Sequence, residues 1–390
     1  MRALHLFDFY LPSTLSAVVQ PLDHLKGVQI EVGSPWIVRN QFYNPGYLYH
    51  EFPLQQRLFP NLTSEFQHPH WKRLFIASQR YLPTYPAWLY QQLKYDPPDV
   101  LHAHFGQIGC LYLPLAKKLR RPLVVTFYGV DYTKLPRRHP VFLQKYQQLF
   151  REAACVIASS EVGCGLLEDM GCPAEKLAVV PFCPRLEQFP MQQRQKPAGQ
   201  LRLVQVSTFT PKKGHLTTLE AFRLALADCP NLHLTLAGEQ PDKHLAQQVR
   251  QFIETYHLGD HITWLDFIDH RQMADFLRPF DAFIHPSCHA PDGDHEDTPV
   301  VLIEAQATGL PVLATTHFNI PAQVLHDQTG LLAPENDALA LADYIRRFYW
   351  MQNAEYQFFS KNARQHVETH FDVNNSAAKL GMVYKRVVSC

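Results

Sequence analysis

Two glutamates, Glu296 and Glu304, stand eight positions apart in the stretch HEDTPVVLIEAQATGLPVLAT, residues 295–315. The Thr-Pro step between them reads as a helix start, because the Thr298 hydroxyl can cap free amides and Pro299 at the first helical position forfeits no hydrogen bond. The helix is expected from about Pro299 to Thr308, with Gly309 stopping it and Pro311 opening a strand. That places Glu296 in the loop before the helix and Glu304 on its second turn. The amides and partial positive charge of a helix start suit a phosphate. A carboxylate a turn and a half along can accept hydrogen bonds from a sugar diol, and one on the preceding loop can meet whatever hangs from the phosphate. The pair therefore suits a nucleotide-sugar, with ribose at Glu304, diphosphate at the helix start and hexose near Glu296. The plainer alternative makes Glu296 a solvated loop residue and Glu304 an ordinary surface glutamate.

A second stretch, VSTFTPKKGHLTTLEAF (206–222), runs strand, short loop, glycine, helix, and offers Lys212 and Lys213 to an anion where a strand ends. In HAHFG, His102 and His104 close another strand and are candidates to face the cleft, a histidine satisfied within a strand-end network being the expected role of at least one. Asp292-Gly293-Asp294, beside His289 and His295, raises a rival chemistry in which two carboxylates bridge a divalent ion to a diphosphate.

Positioning such residues takes strands whose carboxyl ends meet. Short apolar runs alternate with longer amphipathic stretches: ALHLFDF, VLHAHFG, PLVVTFYG, CVIASS and LAVVPF in the first half, then LRLVQVS, LHLTLAG, ITWLDF, AFIHPS and PVLAT in the second. Strands buried on both faces and separated by helices indicate parallel sheets. The polar segment PMQQRQKPAGQ, 190–200, breaks the pattern and is the expected linker. The fold class is α/β, two Rossmann-like doubly wound parallel-sheet domains over residues 1–193 and 200–368, with ligand expected in a cleft between them. Residues 369–390 are expected as a helix with an apolar stripe at Leu380, Val383 and Val387 that packs back on the first domain.

Composition narrows the class. A chain of 390 residues with 46% hydrophobic and 18% charged residues belongs with packed globular proteins and not with disordered ones. Net charge is zero, but residues 1–200 carry +7 and residues 201–390 carry −7. The clusters Lys117–Arg121 and Lys134–His139 make the first domain the side for peripheral membrane contact, a solvated helix face and loop being the alternative. The neutral total, without aromatics interleaved among the basic residues, argues against nucleic acid as a partner. Eight cysteines without a Cys-x-x-Cys pair read as reduced thiols of a cytoplasmic protein. The opening MRALHLFDFYLP reads as a first strand, and no apolar run approaches the roughly 18 residues of a membrane span.

The stretch from Phe283 to Asp337 resembles the sugar-nucleotide motif of retaining GT-B-fold glycosyltransferases of family 4, of the bacterial exopolysaccharide type. PKKGHLTTLEAF, LTLAGE, HAHFG, VVTFYGVDY and LLEDMGCPAEKLAVVP extend the resemblance over nearly the whole chain. It implies the GT-B fold and transfer of a sugar from a nucleoside diphosphate donor, with retained configuration, to a saccharide or lipid-linked acceptor. The leaving diphosphate would help deprotonate the acceptor, so neither cofactor nor metal is expected. Glu304 would bind the ribose, Glu296 the donor sugar and Lys213 the leaving diphosphate. Amides around Thr298, Pro299 and Val300 would hold phosphate or sugar oxygens, and the backbone at Phe267 and Ile268 would meet the nucleobase. On the acceptor side the candidates are Ser13, in the segment Leu11-Pro12-Ser13, together with His104 and Asp131.

Three positions depart from the family. Ser207-Thr208 stands where the family has Gly-Arg, so Thr208 replaces a cation that shares the diphosphate. Tyr128-Gly129-Val130-Asp131 replaces His-Gly-x-Asp, leaving Tyr128 as a neutral hydrogen-bonding candidate near the reacting sugar. Asp297 follows Glu296 where glycine is usual. The departures admit an altered donor, cations from Arg185 or Lys212, or a scaffold or nucleotide-sugar-binding protein with impaired catalysis.

Overall fold

The computed structural model describes residues 1–10, 19–38, 46–58 and 84–389 and, between 59 and 83, residues 70, 71, 74, 77 and 78. It divides into two compact units, Met1–Phe182 with Val373–Cys390, and Cys183–Asp372.

In unit 1 seven parallel strands lie in the order β3-β2-β1-β4-β5-β6-β7. They are β1 (Arg2–Leu6), β2 (Gln29–Ser34), β3 (Leu48–Glu51), β4 (Val100–His104), β5 (Leu123–Thr126), β6 (Cys155–Ala158) and β7 (Leu177–Val179). The chain lays β1, β2 and β3 outward to one side and then crosses to place β4 on the other, so the order reverses between β1 and β4. β2 and β3 are not legible as buried apolar runs because they carry Glu31 and His50. Glu31 is nonetheless fully buried, since Arg2 Nε and His50 Nε2 reach its two oxygens at 2.6 and 2.8 Å. Burial pushes the Glu31 carboxyl up, but the bonds from His50 and Arg2 outweigh it and hold the group below its ordinary value.

Unit 2 holds six parallel strands in the order β10-β9-β8-β11-β12-β13. They are β8 (Leu201–Val206), β9 (Leu232–Ala237), β10 (Ile262–Leu265), β11 (Ala282–His285), β12 (Val312–Thr315) and β13 (Gly330–Ala333). Here the order reverses between β8 and β11. Helices α1 (His215–Leu226) and α2 (Ala338–Trp350) cover a core that includes Leu203, Phe222, Leu234, Ile284, Leu313 and Ile345. The last helix, α3 (Val373–Val388), belongs to unit 1, where Leu380, Val383 and Val387 pack in one cluster with Ala3, Val100 and Val124.

The boundary between units falls earlier than the polar composition of 190–200 indicates, and that segment is no free linker. Arg194 and Lys196 are 6% and 1% exposed. Arg194 donates to the Phe280 carbonyl at 2.7 Å and the Thr308 carbonyl at 3.1 Å, and Lys196 Nζ donates to Tyr349 O at 3.0 Å. Long cationic side chains that find carbonyls along their length can be buried, and each such charge-assisted bond contributes on the order of 1.5–3 kcal/mol. Residues 183–200 are thus part of unit 2.

Candidate active site

In a doubly wound sheet, ligands bind beyond the carboxyl ends of the strands where the strand order reverses. In unit 2 that point lies between β8 and β11. β8 leads into a tight turn at Pro211–Lys213, and Gly214 leaves it with φ +67°. A Cβ at Gly214 would lie 2.0 Å from the Pro286 carbonyl oxygen, so the close approach of the β8 loop to the segment after β11 requires glycine. The turn is held from behind by Gln205, whose Nε2 donates to Lys213 O at 2.8 Å while its Oε1 accepts from Thr218 Oγ1 at 2.7 Å. Across the gap, Cys288 N–H donates to Lys212 O at 2.9 Å.

This framework brings together the two groups that the sequence separates by more than eighty positions. Lys213 Nζ pairs with Glu296 Oε2, and beside it Lys212 Nζ meets Asp294 Oδ1 and His295 O, both at 3.2 Å. Burial pushes the Glu296 carboxyl up, but Lys213, Lys212 and the neighbouring His285 outweigh burial and hold it down at about 2. Glu296 is therefore an ionised, half-buried partner and not a solvated loop glutamate. Around this pair, buried polar atoms stand without partners: both ring nitrogens of His285 and of His295, and Ser287 Oγ. Buried polar groups are ordinarily satisfied by the protein or by a bound molecule, so this concentration marks a place built for a polar ligand. Asp292 and Asp294 are otherwise engaged: Asp292 Oδ1 accepts from Asp294 N–H at 3.1 Å, and Asp294 holds Lys212.

The helix after Glu296 runs from Val300 to Ala307, one residue short of its expected start. Pro299 stands at the N-cap position and no side chain caps the end. Thr298, expected as the cap, precedes the N-cap position, and its Oγ1 accepts from Asn319 Nδ2 at 3.3 Å. Pro299 itself is extended (φ −70°, ψ 97°). Glu304 lies on the inner side of this almost wholly buried helix and is only 5% exposed, so it is no surface residue. His270 Nε2 bonds its Oε1 at 2.8 Å. That bond outweighs burial and raises the His270 pKa. His270 follows β10 on a short turn capped by Asp269, near Phe267, which is 62% exposed, and half-buried Ile268. Thr208 is exposed just past β8. All these residues follow strands of one parallel sheet and so share its carboxyl edge.

Composition gave no reason to single out His317, which the fold places behind Glu296. It follows β12 and is fully buried. Its Nε2 accepts the Glu296 N–H at 3.1 Å, which puts its proton on Nδ1, from which it donates to Glu335 Oε1 at 2.7 Å. Glu335 also takes the His289 N–H at 2.9 Å and meets His289 Nδ1 at 3.0 Å. The available signal was position, a histidine two residues past the strand PVLAT at the same edge as Lys213 and Glu296.

Unit 1 gathers Tyr128, His104 and Asp131, while Ser13 lies outside the described residues. Asp131 is fully buried, and its Oδ2 accepts from the backbone of Tyr128 at 2.9 Å and of Gly106 at 3.2 Å, fastening two strand-end loops together. Between His104 and Gly106, Phe105 adopts φ +78°, a conformation costly for a non-glycine residue. The Tyr128 hydroxyl does not point to solvent. It bonds His104 Nδ1 at 2.6 Å, and His104 Nε2 meets His5 Nδ1 at 2.9 Å. His5 Nε2 meets Tyr384 of α3 at 3.2 Å. Tyr384 in turn bonds His102 Nδ1 at 2.6 Å, and His102 Nε2 bonds Thr126 at 2.7 Å. Burial holds all three imidazoles neutral, His5 down at about 3 and the other two well below the ordinary value.

Comparison with known proteins agrees with this fold. Residues 187–366 match the family described as Glycosyl transferases group 1, and residues 50–183 match the Glycosyl transferase 4-like domain. WcaL of Escherichia coli K12, named provisionally as a colanic acid biosynthesis glycosyltransferase, is 33% identical over 287 residues, 72% of this chain and 70% of its own. The amylovoran biosynthesis glycosyltransferase AmsK of Erwinia amylovora is 32% identical over 306 residues, 77% of this chain and 74% of its own. Among solved structures, HepE of Anabaena in complex with UDP superposes with TM-score 0.73 at 19% identity, covering 99% of this chain and 100% of its own. Two doubly wound parallel sheets, the matched domains and these relatives together show that the chain belongs to the GT-B-fold glycosyltransferases of family 4.

Proposed function

We propose that this glycosyltransferase moves a hexose from a nucleoside diphosphate sugar, with retention of configuration, to a saccharide or lipid-linked acceptor in exopolysaccharide synthesis. The observation that carries the reading is the Lys213–Glu296 pair at the β8/β11 reversal, ringed by unpartnered polar groups. On donor binding Lys213 turns from Glu296 to the diphosphate, and Glu296 accepts from the hexose hydroxyls. Fixed cationic charge on the leaving group is what a reaction without a protein base requires. Lys212 supplies the second positive charge that Thr208 lacks. Amides of Thr298 and Val300, on either side of Pro299, hold donor oxygens, Glu304 takes the ribose diol beside His270, and the backbone at Phe267 and Ile268 meets the base. No metal takes part in transfer. Ser13, His104, Asp131 and Tyr128 serve the acceptor side, Tyr128 through a ring that His104 holds in place.

The relatives support the polysaccharide context through their names, and the HepE complex supports UDP as the first nucleotide to test. Exposed Arg137, Arg138 and His139 precede Val141 and Leu143, which are 52% and 42% exposed, and this combination supports peripheral contact with an anionic membrane. Among the described residues no helix is long and apolar enough to cross one. Incubation with UDP-, GDP- and ADP-sugars in the presence of EDTA, read by NMR at the anomeric centre of the product, tests the proposal. A product of retained configuration formed without metal is expected. Binding without turnover for every donor would favour a nucleotide-sugar-binding scaffold, the second reading, for which Thr208 and Asp297 speak.

A further inference from the structure

The His289–Glu335–His317 cluster has a composition that the transfer reaction does not use. One ligand atom from each residue lies within 4.8 Å of the other two. Glu335 already sits between the two imidazoles, meeting Nδ1 of His317 at 2.7 Å and Nδ1 of His289 at 3.0 Å. A tetrahedral zinc-class ion with bonds of about 2.0–2.1 Å spaces its ligand atoms roughly 3.3 Å apart, so small outward shifts would open this arrangement to one. Two imidazoles with one carboxylate select a borderline transition ion over magnesium or calcium, which prefer all-oxygen shells. A separate observation points the same way. His295 is 7% exposed with both ring nitrogens unpartnered, and its ring centroid lies 5.2 Å from that of His289 and 6.0 Å from that of His317. It borders the cluster, outside the group of three whose ligand atoms lie within 4.8 Å of one another.

We infer that His289, His317 and Glu335 form a binding site for a zinc-class divalent ion, and that its occupancy opposes the arrangement of Glu296 described above. The opposition follows from the imidazole of His317. Its Nε2 accepts the Glu296 N–H, which requires the proton on Nδ1. An ion on Nδ1 takes that lone pair, so the ring's one proton must move to Nε2, where it confronts the Glu296 N–H donor to donor. No proton is gained or lost by the ring, and the change is one of tautomer. The ion and the His317–Glu296 bond therefore exclude each other, and a bound ion inhibits instead of assisting.

The effect on transfer rests on the proposed role of Glu296, whereas the site itself does not, and the test separates them. Cobalt(II) titrated into the full chain, with zinc(II) as competitor, should give one equivalent of a four-coordinate visible spectrum that zinc abolishes. His289→Ala, at an exposed position, should weaken binding at least tenfold without loss of fold, and Glu335→Gln should do the same. His370→Ala, which breaks the separate His366/His370 pair whose rings lie 5.0 Å apart, should leave binding unchanged. Zinc should weaken binding of a hexose-bearing donor, UDP-glucose as the probe, severalfold in the wild type and not in His289→Ala, with EDTA restoring it. Absence of a four-coordinate spectrum, or a spectrum kept in His289→Ala and lost in His370→Ala, overturns the site. A normal cobalt spectrum with UDP-glucose affinity indifferent to zinc overturns the coupling to Glu296 alone.

Discussion

Both sheets reverse their strand order once, and both put histidines at the reversal, yet the two places are chemically opposite. At β1/β4 of unit 1, Thr126, His102, Tyr384, His5, His104 and Tyr128 form a hydrogen-bonded chain. Every neutral imidazole in it can donate from one nitrogen and accept at the other, so the chain closes with all three uncharged and every ring nitrogen paired. At β8/β11 of unit 2 the groups are charged, paired across loops and bordered by the unpartnered nitrogens of His285 and His295. A satisfied network specifies structure, and an unsatisfied charged one awaits a partner. The same residue type at the same topological position thus closes a paired network in one sheet and borders the proposed donor site in the other.

That contrast can be broken by substitution. The largest expected effect is on turnover. Lys213→Ala should lower kcat by about 10²–10³ with a smaller change in donor affinity, as loss of a charge-stabilising donor to the leaving group does. Donor saturation curves measure both, and an unchanged kcat would remove Lys213 from the leaving-group role. Next is Glu304→Ala, which should weaken nucleotide binding roughly 10–100-fold, the worth of hydrogen bonds to a charged acceptor. In unit 1 the expectation reverses. Tyr384→Phe strands a nitrogen on each of His5 and His102 and should cost about 1–3 kcal/mol per unsatisfied group, seen as a lower denaturation midpoint, while nucleotide affinity stays as it was. A changed affinity with unchanged stability would mean that the chain of unit 1 is not structural.

A separate effect is on acid stability. His5 titrates near 3 when folded against an ordinary value of 6.5, so the unfolded chain binds the extra proton. Its stabilising contribution is complete above pH 6.5 and is lost as pH falls toward 3, and His102 and His104 add in the same direction. Glu296 behaves alike lower down, keeping its contribution above its ordinary value of 4.5 and losing it toward 2. Denaturant midpoints measured from pH 7 to pH 4 should therefore fall, and a flat profile would contradict buried neutral imidazoles.

The fold was legible where it is written in apolar runs. β1, β4 to β12 and the stripe of α3 are such runs, bounded by glycine and proline. β2 and β3 were not, because Glu31 becomes a core residue only when Arg2 and His50 arrive from neighbouring strands. Residues 190–200 read as a linker for a related reason: polarity signals exposure only until a cation finds enough carbonyls, as Arg194 and Lys196 do. At the site, Glu296, Glu304 and Lys213 could be named in advance because a helix start and a strand end have fixed chemistry. His317, His270 and Glu335 could not, since each acts through a partner that only the tertiary fold supplies.

The most direct test of the central claim, that the β8/β11 reversal holds the donor nucleotide, is isothermal titration of UDP, GDP and ADP into the wild-type chain, Glu304→Ala and Tyr384→Phe. Selective binding of one nucleotide, lost in Glu304→Ala and kept in Tyr384→Phe, is the expected result. Equal affinity in the wild type and Glu304→Ala, or binding lost only in Tyr384→Phe, would contradict it.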